Sequence, residues 1–531
     1  MTADAAAPTV RDAVLDLLRE LDMTTVFGNP GSTELPFLLG WPDDLRYVLA
    51  LQEASAVAMA DGYAQATGRA AFVNLHSAAG VGNALGSVFT AFRNQTPLVI
   101  TAGQQARSLM PYDPYLGADR ASEFPRPYVK WSCEPMQAQD VPVAIAHAHA
   151  IASQHPCGPA FVSIPTDDWM APSAPGAVRS IAPNAGADPT TLRAFADAVG
   201  RSIRPALVVG AGVDRAGAYD AAVALAERMN AAVWEAPNSS RSSFPQDHRL
   251  FAGFLPAVPE RLSQALEPFD LILVVGAPVF TFHVAGEAAI LSSSVPILLV
   301  TDDPDAAARG RSTGCVVGAL RPSINALTAM MPSATRAGPE ARKLPPPASA
   351  SDPLSPDFVM QEIARAVGPD TVVVEEAPSH RPAMQRRVTI NRSGSFFTMA
   401  SGGLGWGMPA AVGIAMATGR RVACLVGDGS AMYSLQAMWT AAQAKLPVTF
   451  IVLNNRGYGA MLAFSRLMQA PEPPGVRLPG IGFPALAESF GLPAFSVTGA
   501  GDLHLSLKTS MSRPGPSLVE VTLQAEAGDI Y

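Results

Sequence analysis

Long apolar runs are missing from this chain. No stretch of 18 consecutive apolar residues occurs in its 531 residues, which leaves no candidate for a membrane-spanning helix. Cysteine is scarce as well. Cys133, Cys157, Cys315 and Cys424 are the only four, far apart and without metal-type spacing, so neither a disulfide framework nor a thiolate metal centre is expected. Clustered positive charge is also lacking. The net charge of -8 is made of scattered groups, which argues against nucleic acid as a partner. The densest basic group, Arg381, Arg386, Arg387 and Arg392, reads as a solvated face. The opening stretch MTADAAAPTVRDAV carries no apolar signal core. Together these absences lead us to expect a soluble protein of the cytoplasm with reduced thiols.

What is present is enough chain for about three domains of ~100–200 residues each. Two stretches rich in Pro, Ala and Ser, residues 170–191 and 332–356, read as linkers. They divide the chain into an N-terminal domain (1–175), a middle domain (190–335) with strands at Pro205–Val209 and Leu271–Val275, and a C-terminal domain (355–531). The expected fold class is α/β, with three domains built on mostly parallel sheets covered by helices.

Two turns in the C-terminal third carry the chemistry. Gly427-Asp428-Gly429-Ser430 follows the apolar run 422–426, and Asn454-Asn455-Arg456-Gly457-Tyr458 follows the run 448–453. Residues 434–445 between them have the length and Ala content of a helix. A strand-helix-strand unit with a right-handed crossover places both strands parallel. Their carboxyl ends then share the edge where open α/β sheets bind ligands. An Asp carboxylate and an Asn amide oxygen meeting there suit magnesium, a hard ion that prefers oxygen and often takes phosphate oxygens too. The small pair Gly429-Ser430 lets a phosphate approach the backbone. A plain strand-to-helix turn is the bland alternative, and a dinucleotide site the sharper one. The latter is disfavoured because position 432 is Met and no acidic residue occurs from 430 to 471.

GDG followed by NN at this separation resembles the signature of thiamine-diphosphate-dependent enzymes, and the chain is similar above all to the benzoylformate decarboxylase group. The likeness is carried by VFGNPGSTELPF (26–37), LALQEASAVAMADGYAQATG (49–68), FVNLHSAAGVGNALG (72–86), PLVITAGQQ (97–105), VGAPVFTFH (275–283) and SGGLGWGMPAAVG (401–413). The resemblance implies thiamine diphosphate and Mg2+, with Ca2+ as a substitute. The first domain would bind the aminopyrimidine and the third the diphosphate. It implies metal ligands at Asp428, Asn455 and Gly457, and cofactor contacts from Glu53, Ser379, Gly402, Leu404, Gly429, Ser430, Tyr433 and Tyr458. Glu53 would shift the aminopyrimidine to its imino tautomer, and Leu404 would support the folded cofactor from below. Ser32, His76 and His283 would line the reaction centre and handle the substrate carboxylate and protons, a task suited to histidine. Taken singly, each histidine is more often structural and Ser32 more often a helix cap.

The implied reaction is non-oxidative decarboxylation of a 2-oxo acid, foremost benzoylformate to benzaldehyde, in a pocket walled by Thr398, Ala460, Met461 and Phe464. Two departures touch that pocket: Thr398 replaces an aromatic residue of the group, and Glu376-Ala377-Pro378-Ser379-His380 replaces a hydroxyl-rich segment. Alternatives are a carboligase or oxidase of the acetohydroxyacid synthase kind, with Gly210-Ala211-Gly212 as a flavin-site remnant, or a cofactor-binding relative without turnover. The family builds each site from two chains, so at least a homodimer is expected, and a homotetramer is the preferred assembly.

Overall fold

The computed structural model describes residues 7–525 apart from 175, 177, 179, 180, 183 and 287–294. The excepted positions of the first linker, the 287–294 stretch of the middle domain and the last six residues of the third thus lie outside the described residues. Among the described residues there are three six-stranded parallel sheets. The first contains β1 (Thr25–Asn29), β2 (Arg46–Leu49), β3 (Ala71–Leu75), β4 (Leu98–Gln104), β5 (Trp131–Cys133) and β6 (Ala160–Pro165), in the order 2-1-3-4-6-5. The second contains β7 (Pro205–Val209), β8 (Ala232–Glu235), β9 (Phe251–Phe254), β10 (Leu271–Val275), β11 (Ile297–Thr301) and β12 (Gly314–Val317), in the order 12-11-10-7-8-9. The third contains β13 (Val372–Glu376), β14 (Phe396–Thr398), β15 (Val422–Gly427), β16 (Val448–Asn454), β17 (Ala494–Val497) and β18 (Ser517–Thr522), in the order 14-13-15-16-18-17. Runs such as LVITAGQ in β4 and VTFIVLN in β16 are buried at every position, as expected of parallel strands covered on both faces.

The first and third sheets face a common core. Residues from both, among them Phe27, Val73, Val374 and Phe450, belong to one buried cluster. Helices Glu53–Thr67 and Gly407–Thr418 lie in its middle. The second is apolar on every side and buried from Gly407 to Ala415, the pattern of a helix enclosed by other elements. The two helices touch backbone to backbone: a Cβ on Gly413 would lie 1.9 Å from Met59 O, and one on Gly62 would lie 2.3 Å from Ala410 O. Asp61, fully buried beside this contact, accepts hydrogen bonds from Gln65, Asn94, Thr96 and, across the domain boundary, Trp406 Nε1 at 2.7 Å. Gly413→Ala must push the helices apart. At about 1–3 kcal/mol for overpacking, the melting temperature should fall by about 3–10 °C, as read by differential scanning fluorimetry.

The middle sheet has the strand order of dinucleotide-binding folds. Its Gly210-Ala211-Gly212 turn is nevertheless occupied by the chain itself. Gly212 N donates to Gly276 O at 3.0 Å, and Ser243 Oγ donates to Gly210 O at 2.7 Å. Here the glycines let two loops cross, so their spacing follows from packing.

The basic group is not a bare solvated face. Arg381 pairs with buried Glu375, Arg386 and Arg387 share Asp357, and Arg392 pairs with Asp370. The second linker is similarly pinned: Arg336 Nη2 donates to Val199 O at 2.9 Å and Arg387 Nη1 to Pro346 O at 2.6 Å. Charges remote in sequence found partners only once the domains packed. The four cysteines carry free thiols.

Candidate active site

The two signature turns meet at the carboxyl edge of the third sheet, where β15 and β16 pair in register from Val422↔Val448 to Gly427↔Leu453. Regular helix between them spans only Ala437–Gln443, shorter than the expected 434–445, and a separate single turn forms at Asp428–Ala431. Asp428, 2 % exposed, accepts from Gly429 N at 2.9 Å through Oδ1 and from Gly457 N at 2.8 Å through Oδ2. Burial pushes its carboxyl up to about 6. As placed, the Asn455 amide oxygen lies 2.7 Å from Gly457 O and 3.2 Å from Asp428 Oδ1. Three oxygens facing one another repel unless the amide rotates or a cation sits among them. Oxygen ligands at 2.0–2.1 Å in an octahedron stand about 2.9 Å apart, so this donor set fits a magnesium ion. Beside it, the Tyr458 ring rests on Gly429, where a Cβ would lie 2.5 Å from the ring.

A cavity of about 740 Å³ opens on this edge. Ser379, Gly402, Leu404, Ser430 and Tyr458 line it together with Asp428 and Asn455. So do His283, Thr398, Ala460, Met461 and Phe464. His283 enters from the middle domain, its backbone N donating to Ala257 O at 3.0 Å and its ring edge-on to Phe464 with centroids 4.7 Å apart. Burial lowers its pKa, which favours the neutral imidazole. Thr398 is fixed in the wall: its hydroxyl donates to Glu375 O at 2.7 Å and accepts from Arg381 Nη2 at 2.9 Å. Tyr433 does not line the cavity. It is 57 % exposed and stands beside Tyr458.

Glu53, His76 and Ser32 are absent from this lining and lie on the first domain. Glu53 is the first residue of its helix, behind the Gln52 cap, and is 8 % exposed. Asn83 Nδ2 donates to its Oε2 at 3.1 Å. His76 caps the helix Ser77–Asn94, and its Nδ1 lies 2.9 Å from Glu34 Oε2. Ser32 is exposed at the start of a short turn, Ser32–Glu34.

Sequence reading missed the carboxylates that hold this scaffold. Glu34, 1 % exposed, also accepts from Gly31 N at 2.7 Å, Gly103 N at 2.9 Å and Thr33 Oγ1 at 2.6 Å. Its signal is the one charged residue of the turn PGSTELPF. Glu376 accepts from Gly405 N and Gly407 N and so shapes the loop that carries Leu404. Burial pushes its carboxyl up to about 7. The segment Glu376–His380 stands out in the sequence, but the role of Glu376 as an acceptor does not, because its partners are 29 and 31 residues away.

An edge of converging oxygens on one domain, a buried Glu on another and a doubly wound domain between them are the arrangement of a multidomain cofactor enzyme. The thiamine pyrophosphate enzyme models match here in order: the N-terminal TPP binding domain at 8–120, the central domain at 192–327 and the C-terminal TPP binding domain at 376–521. The chain belongs to the thiamine pyrophosphate enzymes. It is 42% identical to benzoylformate decarboxylase of Pseudomonas aeruginosa over 97% of this chain and 99% of that protein. The crystal structure of benzoylformate decarboxylase from Polynucleobacter necessarius superposes with a TM-score of 0.96 at 38% identity, covering 98% of this chain and 99% of that one. The thiamine diphosphate-dependent 4-hydroxybenzoylformate decarboxylase of Rhodococcus jostii does so with a TM-score of 0.95 at 39% identity, covering 98% and 100%. Acetolactate synthase isozyme 1 large subunit of Escherichia coli is more distant, 27% identical over 98% of this chain and 94% of that protein. Within its family the chain is a benzoylformate decarboxylase homologue, a thiamine-dependent carboxy-lyase.

Proposed function

We propose that the protein decarboxylates benzoylformate, or a closely related aryl 2-oxo acid, to the aldehyde and carbon dioxide. The observation that carries this reading is a cavity in which the His283–Phe464 ring pair opens on the Asp428 edge. When bound, thiamine diphosphate supplies the electron sink that lets carbon dioxide leave. Asp428, Asn455 and the Gly457 carbonyl would hold the divalent ion, magnesium in our reading, and through it the diphosphate. Glu53 is positioned by Asn83 to hold the hydrogen bond that sets the aminopyrimidine tautomer. With Nδ1 of His76 engaged by Glu34, its Nε2 is the nitrogen left to exchange a proton with bound substrate. His283, kept neutral by burial, accepts or returns a proton on the other side, and the Ser32 hydroxyl orients the substrate carboxylate. Met461 and Phe464 present apolar surface to an aryl ring, so benzoylformate should exceed pyruvate in kcat/KM by at least about 100-fold, several methylene equivalents at about tenfold or more each. A coupled alcohol dehydrogenase assay reads this directly, and equal rates would sink the aryl assignment.

The separation of Glu53, His76 and Ser32 from the cavity lining supports a site completed by a second copy, in a homodimer or a tetramer of two dimers. Mixing refolded Glu53→Gln and Asp428→Ala chains should restore about a quarter of wild-type activity, because half of randomly formed dimers hold one intact site of two. No recovery would mean that one chain supplies the whole site. No helix among the described residues is long and apolar enough to cross a membrane, and we place the protein in the cytoplasm.

A further inference from the structure

All three domains line the cavity, and the first contributes Phe89 and Arg93, which the reaction described above does not use. Both stand near the end of the helix Ser77–Asn94. Asn94 Oδ1 beside them accepts from Ala400 N at 2.8 Å, and Thr90 Oγ1 lies 2.8 Å from Ser401 Oγ. Ala400 and Ser401 are themselves part of the lining, so this helix end is fixed to the segment that leads to Leu404.

The Arg93 side chain is exposed where the cavity meets solvent, and it makes no hydrogen bond or ion pair among the described residues. An arginine in the last turn of a helix commonly serves the terminal carbonyls. Here that duty falls to Arg215 of the middle domain, which donates through Nη1 to Asn94 O at 3.4 Å and through Nη2 to Gln95 Oε1 at 2.5 Å. The other titratable groups of the lining are compensated or neutral. Arg241 pairs with Asp214 and Arg381 with Glu375. Burial pushes the Glu235 carboxyl up to about 8, His380 down to about 4 and His283 downward as well, so these three are neutral near pH 7. Asp428 is the proposed metal ligand. Among the described lining residues Arg93 therefore carries the one uncompensated positive charge.

We infer that Arg93 forms a subsite for a second carboxylate, carried on the far end of an aryl 2-oxo acid. The inference rests on the decarboxylase reading and names the substrate class more closely. In that reading the 2-oxo carboxylate itself is met by Ser32 and the histidines, which leaves Arg93 for another anion. A guanidinium matches a carboxylate with two parallel N–H donors. Phe89, one turn before Arg93 on the same helix, lines the cavity together with Phe254, Leu255 and Phe282, so the surroundings suit a carboxylate borne on a ring better than a free inorganic anion. The net charge of -8 means that the protein as a whole does not draw anions in, and selection for one falls to the local charge of Arg93.

The test compares kcat/KM in the holoenzyme at low ionic strength for substrates that differ in charge and barely in shape: 4-carboxy- against 4-carbamoylbenzoylformate, and the corresponding 4′-carboxy and 4′-carbamoyl biphenyl 2-oxo acids to cover a longer reach. At least one pair should favour the carboxylate by about fivefold, the upper range for an ion pair open to solvent, and the ratio should shrink as salt is added. Arg93→Gln should bring the ratio towards one, and Arg93→Lys should keep a preference for the carboxylate. Arg93→Glu should reverse it, a change that general loosening of the fold does not produce between isosteric substrates. Turnover with no carboxylate preference in either pair, or a preference untouched in Arg93→Gln, overturns the subsite alone. So does an equal loss on both members of a pair in Arg93→Gln, which would place Arg93 on the 2-oxo carboxylate that they share. Absence of turnover for every aryl 2-oxo acid, benzoylformate included, despite cofactor binding overturns the decarboxylase reading and the subsite with it.

Discussion

Glu53→Gln is expected to lower aldehyde formation by about 10²–10⁴-fold, the usual range for loss of a positioned proton-handling group, while thiamine diphosphate still binds. The geometry explains why the loss is chemical and not structural. Glu53 stands at the start of its helix with one oxygen held by Asn83, 3.1 Å away, and glutamine preserves the volume, the helix start and one acceptor. What it removes is the carboxyl that, in the proposed reaction, would exchange a proton with the aminopyrimidine. Cofactor affinity, read from quenching of tryptophan fluorescence during titration, should therefore change little as kcat falls. A variant that loses affinity and rate together would mean that Glu53 is a binding residue only.

Asp428→Ala should act in the opposite manner, through binding. The carboxylate is one of three converging oxygens, and it also accepts from Gly429 N and Gly457 N. In the proposed site its removal would both delete a metal ligand and free the turns that carry the other oxygens. Changes in groups merely supporting a metal ligand cost about 10–100-fold in affinity, so loss of the ligand itself should weaken magnesium-dependent binding of thiamine diphosphate by at least about 100-fold. Isothermal titration at fixed magnesium measures this without reference to turnover. Removing divalent ions from the wild-type protein with EDTA should reproduce the defect, and adding back magnesium or calcium should reverse it. If the variant binds as tightly as wild type, the converging oxygens are a structural turn and the ion sits elsewhere.

Together the two variants separate the halves of the site, which is why they are suited to subunit mixing. Each acts on a different domain, and the cavity at the Asp428 edge includes neither Glu53 nor His76 in its lining. The further prediction at the helix contact, Gly413→Ala, concerns the shared core that sets the distance between those domains.

The amino-acid sequence by itself determined the sheet-forming runs, the two signature turns and the class of cofactor. These are local: an apolar run long enough for a strand, a small-residue turn after it, and an oxygen-bearing side chain at its end need no knowledge of the rest of the chain. β7 and β10 lie at Pro205–Val209 and Leu271–Val275, as the runs indicate. Tertiary structure alone decided which polar groups are satisfied and by what. Glu34 reaches His76 across 42 positions and Gly103 across 69, and Glu376 receives the Gly405 and Gly407 donors. It also decided that the arginines of the basic group face carboxylates, that the Gly210 turn is filled by Gly276, and that Glu235 shares a cavity with Asp428. A buried carboxyl or an ion pair is defined by what remote segments bring within about 3 Å, and that proximity exists only after the sheets have packed.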